Sequence, residues 1–386
     1  MKIAFYAPMK SPEDPRPSGD RTVARQLLAA LRLGGHEVDI ASTFRSWDSG
    51  SPERQARIEA LGRRLANRIV KRARGGPRPY DLWFTYHLYH KAPDWLGPLV
   101  AQSLAIPYVV AEASVANKRR EGAFATGYRG SLEALRAASL VVGLNPADRA
   151  GVEPHLLPGA AYRDLPPWLD ARPFLQASLS RPEARSALAA RFAGSVGPEP
   201  ILLAVGMMRK DQKRLSYLCL VEALARVSQP FKLAIVGTGP VEAEIRQAFA
   251  PFGANVVFLG AQLPEAMPEI YAGADLLVWP AIKEAFGMAL LEAQAAGTPV
   301  IAGASGGVAA IVEDGVTGRL TPEGDAAAFA AALQDCLAAG DRLRAMGEAA
   351  LGRVAERHDL PAAAKALDAM LQTLARSTDP FLSKAI

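Results

Sequence analysis

The chain has 386 residues, 50% of them apolar and 22% charged, with a formal net charge of +5 and two cysteines. A single hydrophobic core stops growing near roughly 250–300 residues, so this length predicts two domains. No run approaches the ~20 apolar residues of a membrane span, and Pro8 and Lys10 interrupt the first apolar run before it can serve as a secretory signal. Cys219 and Cys336 lie far apart, each within a helical apolar pattern, which predicts free buried thiols and a reducing, cytoplasmic compartment. The positive balance favours an acidic partner: phosphate, anionic lipid or nucleic acid.

Residues 2–8 read as a strand, 22–33 as a helix stopped by Gly34-Gly35, and 36–41 as a second strand. Strand, loop, helix, strand is the opening of a doubly wound parallel sheet. In the loop Pro17-Ser18-Gly19-Asp20-Arg21, Gly19 would let backbone amides approach a ligand at the helix start. Residues 53–78 are the most basic stretch: Arg54, Arg57, Arg63, Arg64, Arg68, Lys71, Arg72, Arg74 and Arg78 face only Glu53 and Glu59. Ile58, Leu61, Leu65, Ile69 and Val70 recur there at helical spacing. Such a basic amphipathic helix presents either a solvated face or a dock for an anionic membrane surface that holds a lipid-linked acceptor. It lacks interleaved aromatics, which argues against single-stranded nucleic acid as its partner.

Residues 81–87 and 107–114 read as buried strands. His87 falls at the carboxyl end of the first, where ligands of doubly wound sheets bind, so it is a better candidate than His36, His90, His155 or His358. Glu112 falls near the end of the second and is a candidate acceptor contact. Lys118, Arg119 and Arg120 follow and could hold an acceptor phosphate. Residues 140–145 read as a full strand and 155–159 as a short terminal one. The proline-rich stretch 166–200, with a helical patch at 183–192, reads as a connection between a first domain, 1–165, and a second, 201–360.

The second domain opens with the strand 201–206 and then Met207-Met208-Arg209-Lys210-Asp211-Gln212-Lys213. Fixed cations and a close backbone approach are what a diphosphate pocket needs. Beside Arg209, Lys213 is preferred over Lys210 and Arg214 because it directly precedes the helical run 215–227. A strand at 231–236 feeds Gly237-Thr238-Gly239, a turn without the third glycine of a dinucleotide fingerprint. The apolar run 276–279 ends at Pro280, and helix formers occupy 288–296, which puts Glu284 on a loop and Glu292 inside a helix. The two carboxylates could accept hydroxyls at opposite ends of a long ligand, with the free N–H groups near Gly287 and Met288 facing a charge between them. After a strand at 300–302 come the turns at Gly306-Gly307 and 315–320. An alanine-rich tract, 325–374, supplies closing helices.

The run Glu284-Ala285-Phe286-Gly287-Met288-Ala289-Leu290-Leu291-Glu292, with Gly297-Thr298-Pro299, Gly306-Gly307 and Asp314-Gly315-x-Thr317-Gly318, resembles the retaining, nucleotide-sugar-dependent glycosyltransferases of family 4. The resemblance implies an α/β fold of two Rossmann-like doubly wound parallel-sheet domains facing across a cleft (GT-B), with a last helix, 361–386, crossing back to the first domain. It implies that Arg209 and Lys213 bind the donor diphosphate, Glu284 the sugar hydroxyls and Glu292 the ribose. It places Gly19, Gly237, Gly239, Phe286, Gly287, Met288 and Ala289 beside the donor as well. Relatives often carry two glycines at the first loop; Ser18 replaces one, so only Gly19 carries over. Many members place a donor-binding histidine near the end of the 107–114 strand. Glu112 and Ala113 stand there instead, so that role is not transferred, and His87 is left to orient sugar or acceptor. The expected substrates are a nucleoside diphosphate sugar and a glycan or lipid-linked acceptor, with no metal, no other cofactor and no nucleic acid. Two rival readings are a nucleotide-sugar epimerase on the same scaffold and a non-catalytic nucleotide- or nucleic-acid-binding protein.

Overall fold

The computed structural model describes residues 1–16, 18–76, 80–193, 197–284 and 286–377. Pro17, Arg78, Ala285 and 378–386, all included in the expectations above, lie outside them. In chain order the elements are β1 (Lys2–Tyr6), α1 (Gly19–Leu33), β2 (Glu37–Ser42), α2 (Pro52–Arg74), β3 (Leu82–Leu88), α3 (Gly97–Leu104), β4 (Tyr108–Ala113), α4 (Ala125–Ala137), β5 (Leu140–Gly143), α5 (Arg149–Val152) and β6 (Ala161–Asp164). They continue with α6 (Arg172–Ser178), α7 (Arg181–Ala189), β7 (Ile201–Val205), α8 (Gln212–Leu224), β8 (Lys232–Val236), α9 (Glu242–Phe249), β9 (Val256–Gly260), α10 (Met267–Gly273), β10 (Leu276–Trp279) and α11 (Met288–Ala295). The last are β11 (Val300–Gly303), β12 (Gly318–Thr321), α12 (Ala326–Leu337), α13 (Gly340–Arg357) and α14 (Leu360–Ser377).

The chain divides into two compact units, one made of residues 1–165 and 360–386 and the other of residues 166–359. Each contains a six-stranded parallel sheet. The first has the order β2-β1-β3-β4-β5-β6 and the second β12-β11-β10-β7-β8-β9. The inner strands are short, largely apolar runs buried on both faces, as parallel strands covered by helices require, while the edge strands β2, β6, β9 and β12 are only partly buried. Strand order reverses between β1 and β3 in the first sheet and between β7 and β10 in the second. Crevices at the carboxyl ends of such strand pairs are where open α/β sheets bind ligands.

In the first unit α1 begins a turn earlier than the apolar pattern suggests, because Ser18 caps it and accepts the Arg21 N–H at 3.3 Å. Helix α14 returns to this unit and packs on α1, where Asp368 lies 3.3 Å from the buried His36. In α2 the buried positions are Gln55, Gly62, Ala66, Val70 and Ala73. Leu61, expected in the apolar stripe, is 46% exposed, while its neighbour Gly62 faces Trp95 so closely that a Cβ there would clash. The terminal strand is β6, not 155–159. Residues 153–155 form a single 3-10 turn, Gly159 bends the chain at φ +93°, and Tyr162 of β6 points into the core.

In the second unit the described residues of 166–200, expected as a connection between domains, pack against the rest of the unit. Arg181 of α7 donates to the carbonyls of Ala274, Ala296 and Gly297, and Arg185 pairs with Asp275, so both arginines bind the amino-terminal edge of the sheet. Residues 318–320 of the expected 315–320 turn, together with Thr321, form the edge strand β12, paired with β11. Cys219 and Cys336 are buried free thiols. Among the described residues no helix is long and apolar enough to cross a membrane.

Candidate active site

In the second unit the carboxyl ends of β7 and β10 meet around Trp279, which is 1% exposed. Its indole N–H donates to Glu284 Oε2 at 3.2 Å, and its ring lies 5.3 Å from the Lys213 ammonium. Lys213 in turn donates to the same Glu284 oxygen. Lys213 does not precede the helix, as expected, but is its second residue, because Asp211 caps α8 and accepts the Lys213 N–H at 3.0 Å. The other two cations considered there point elsewhere: Arg214 pairs with Glu244 of α9, and Lys210 is exposed. Arg209 is exposed and, among the described residues, has no carboxylate partner.

The loop carrying Glu284 is held from several sides. The Ser216 and Ser305 hydroxyls accept the Ile282 and Glu284 N–H groups at 3.0 and 3.2 Å, and Glu323 accepts that of Lys283 at 3.0 Å. Ala281 and Lys283 adopt φ of +53° and +48°, conformations that only a well-fixed backbone maintains in non-glycine residues. Gly287 caps α11 at φ +73°, where a Cβ would strike Leu290. Among the described residues no side chain caps this helix, so its first amides and the positive end of its dipole are available to an anion. Phe286, Met288 and Ala289 are part-exposed around that start. One turn further in, Glu292 accepts the Tyr271 hydroxyl at 2.7 Å. Burial pushes the Glu292 carboxyl above its ordinary range, and the tyrosine hydrogen bond offsets part of that.

Gly237 and Gly239 have a packing reason for being glycine. At each a Cβ would overlap a backbone carbonyl, that of Gly206 and that of Met208 respectively. The loops after β7 and β8 are thereby in backbone contact, with Met208 N donating to Thr238 O at 2.9 Å and Val241 N to Met208 O at 3.1 Å.

In the first unit the corresponding strand ends bring His87 to α1. His87 Nδ1–H donates to Asp20 Oδ1 at 2.9 Å. Burial pulls the imidazole pKa down, but the Asp20 hydrogen bond and the charges of Glu112, Asp20 and Asp148 outweigh it and raise it overall. His87 and Glu112 both adopt positive φ, +64° and +57°. Gly19 is exposed at the start of α1 with open space where a Cβ would be. Lys118 is exposed, and the Arg119 guanidinium lies over Phe124.

The sequence reading missed Asp20, Asp148, Trp279 and Tyr271. Asp20, an acid in the first turn of a helix beside the singled-out Gly19, was the one signal within reach. The others are paired only by folding. A cavity of about 800 Å³ lies at the opposite, amino-terminal edge of the second sheet, lined by Arg181, Arg185 and Asp275 among others. Arg181 and Arg185 are already bonded there, and the free cation, the uncapped helix and the positive-φ loop are all at the carboxyl edge.

Two six-stranded parallel sheets with these strand ends define a GT-B fold. The HepE (Alr3699) structure from Anabaena, solved in complex with UDP, superposes with a TM-score of 0.68 at 19% identity, covering 97% of this chain and 100% of that one. Residues 199–339 match the family of glycosyl transferases group 1, and the chain belongs to that family. It is 30% identical over 308 residues to the D-inositol 3-phosphate glycosyltransferase of Streptomyces scabiei, covering 73% of this chain and 66% of that protein. It is 34% identical over 203 residues to the GDP-mannose-dependent alpha-(1-6)-phosphatidylinositol monomannoside mannosyltransferase of Mycolicibacterium smegmatis, covering 50% of this chain and 51% of that one. The chain spans 22% and 32% of the length of two other curated relatives it matches.

Proposed function

We propose that the chain is a retaining hexosyltransferase that moves a sugar from a nucleoside diphosphate sugar to an acceptor hydroxyl. The observation that carries this reading is the placement of Lys213 and Glu284 on one buried tryptophan, at a strand-order switch, beside the uncapped start of α11. When the bond from the sugar to the diphosphate breaks, the electron pair leaves with the phosphate oxygen. Groups fixed to receive that charge lower the barrier most. Arg209, Lys213 and the α11 amides take that role, Glu284 holds sugar hydroxyls, Glu292 holds the ribose, and no metal is required. Gly237, Gly239, Phe286, Gly287, Met288 and Ala289 shape the donor pocket.

The first unit receives the acceptor, with His87 and Glu112 near the reacting hydroxyl, while Gly19 lets the start of α1 approach the donor. The acceptor is a glycan or a lipid-linked intermediate of the cell envelope, met at the cytoplasmic face of the membrane. Support for a membrane-borne acceptor comes from α2, where Arg57, Leu61, Arg64, Arg68 and Arg72 are exposed at a spacing that aligns them along one stripe.

A thermal-shift screen across UDP-, GDP-, ADP- and dTDP-sugars tests the proposal. One base class should raise the melting temperature in a concentration-dependent way. No stabilisation by any of them would overturn it. Turnover of the donor alone into an epimer, without acceptor, would favour an epimerase instead.

A further inference from the structure

Two segments of the first unit, following β3 and β4, converge on one aromatic ring. Lys91 places its ammonium 5.7 Å and Arg119 its guanidinium 5.1 Å from the centroid of Phe124. The His90 ring meets the same phenyl edge-on at 5.1 Å. Burial lowers the His90 pKa first, and Arg119, Lys91 and Lys118 each lower it further, so three cations surround this imidazole.

Among the described residues none of Lys91, Lys118, Arg119 and Arg120 forms an ion pair with a carboxylate. The nearby Asp48 accepts the Gly50 and Ser51 N–H groups through Oδ1 at 2.6 and 2.7 Å, and its Oδ2, which has no hydrogen-bond partner among the described residues, lies 3.4 Å from Nε of Arg54. Both ring nitrogens of His90 and Nε of Arg119 are enclosed without a hydrogen-bond partner. Enclosed donors are satisfied in most native structures, and like charges gathered without a counter-charge are held at a cost. A bound anion removes both deficits.

The cluster is also built in place. Gln55 of α2 accepts the Gly127 N–H at 3.0 Å and donates to the Ala123 carbonyl at 2.6 Å, which fixes the start of α4. Gly127 packs directly on the His90 carbonyl, where a Cβ would overlap it. A run of rings joins the cluster to the strand-order switch: His87 stacks on Tyr89 at 4.8 Å, Tyr89 meets His90 at 5.4 Å, and His90 meets Phe124.

We propose that Lys91, Arg119 and His90, gathered on Phe124, form a subsite for a phosphate group carried by the acceptor. The inference rests on the glycosyltransferase reading, since it names the acceptor class. Lys91 and Arg119 supply charge-assisted hydrogen bonds, and His90 supplies a ring nitrogen. The reacting hydroxyl then extends along Tyr89 towards His87 and Glu112. Lys118, at the rim, contributes attraction rather than contact.

Inorganic phosphate is the probe, and binding is measured on the full chain in an Arg209→Ala, Lys213→Ala background, so that the donor pocket does not mask the result. Adding Lys91→Met and Arg119→Gln, which keep side-chain bulk over Phe124, should weaken phosphate binding about tenfold or more while circular dichroism and melting temperature stay unchanged. Equal binding with and without the two added substitutions, or no phosphate bound in the background protein, overturns the subsite. Glucose 1-phosphate and vesicles containing phosphatidic acid then separate a free from a lipid-borne phosphate: loss of binding to either in the substituted protein supports the subsite, and unchanged binding to both overturns it. Nucleoside diphosphate binding by the unaltered chain is read separately. Its absence overturns the transferase reading and leaves the phosphate result standing.

Discussion

Lys213 and Glu284 lie 71 residues apart in the chain and are joined by one ion pair, which Trp279 supports from both sides. The ammonium sits over the indole face and the carboxylate accepts from the indole edge, so one buried ring fixes the positions of both charges. Their side chains are 25% and 14% exposed, which leaves each group reachable while shielding the pair from most screening.

Replacing Arg209 and Lys213 together by alanine should lower turnover by two to three orders of magnitude or about that range, the scale seen when charge-stabilising donors are removed. Among the described residues Arg209 has no carboxylate partner to lose, and Glu284 keeps the Trp279 N–H, so circular dichroism and melting temperature should change little. Near-normal activity in the double variant would refute the role of these cations.

Glu292→Ala should weaken nucleoside diphosphate binding measured by calorimetry. It also leaves the Tyr271 hydroxyl without its acceptor, at a cost of about 1–3 kcal/mol. Glu292→Gln can still accept that hydroxyl and should keep the melting temperature. Because burial raises the Glu292 pKa, its anion is lost on acidification sooner than that of an exposed glutamate, and nucleotide affinity should fall accordingly. Unchanged affinity in the alanine variant contradicts the ribose contact.

His87 has a raised pKa and its partner Asp20 a lowered one, the latter chiefly through their hydrogen bond. The imidazole contribution to stability is therefore complete below the unfolded value of about 6.5 and is lost as pH rises through the higher folded value. The Asp20 contribution is present above about 3.9 and is lost as pH falls through its lower folded value. Asp20→Asn should move the His87 titration, followed by NMR, to lower pH. An unmoved titration would mean that the pair does not set the imidazole's charge.

Activity should survive a chelator, since fixed cations and helix amides already meet the diphosphate charge in the proposed site. Abolition by chelation, restored by Mn²⁺ or Mg²⁺, would overturn the metal-free mechanism.

Flotation should recover the protein with anionic vesicles and not with neutral ones, and raising the salt should release it. Arg64→Glu with Arg68→Glu on the exposed stripe of α2 should abolish recovery. Equal binding to neutral vesicles, or none to either, removes the membrane reading.

The sequence by itself determined the alternation of buried strands and helices, because runs of apolar residues punctuated by glycine and proline are a local property. It also offered Arg209, Lys213, Glu284, Gly287, Glu292 and His87 as candidates, because each lies in or just after a loop that follows an apolar run or at the end of such a run. Only the tertiary structure decided partnerships. Asp20 reaches His87 because β1 and β3 are neighbours, Trp279 serves Lys213 and Glu284 because β7 lies beside β10, and Lys91 and Arg119 share Phe124 because two separate loops converge on α4. Strand order is set by how sheets bury their faces over the whole chain, and no local pattern encodes it. The same holds for Leu61, whose helical spacing predicted burial but which is exposed on α2, while Gly62 beside it is the residue that packs on Trp95.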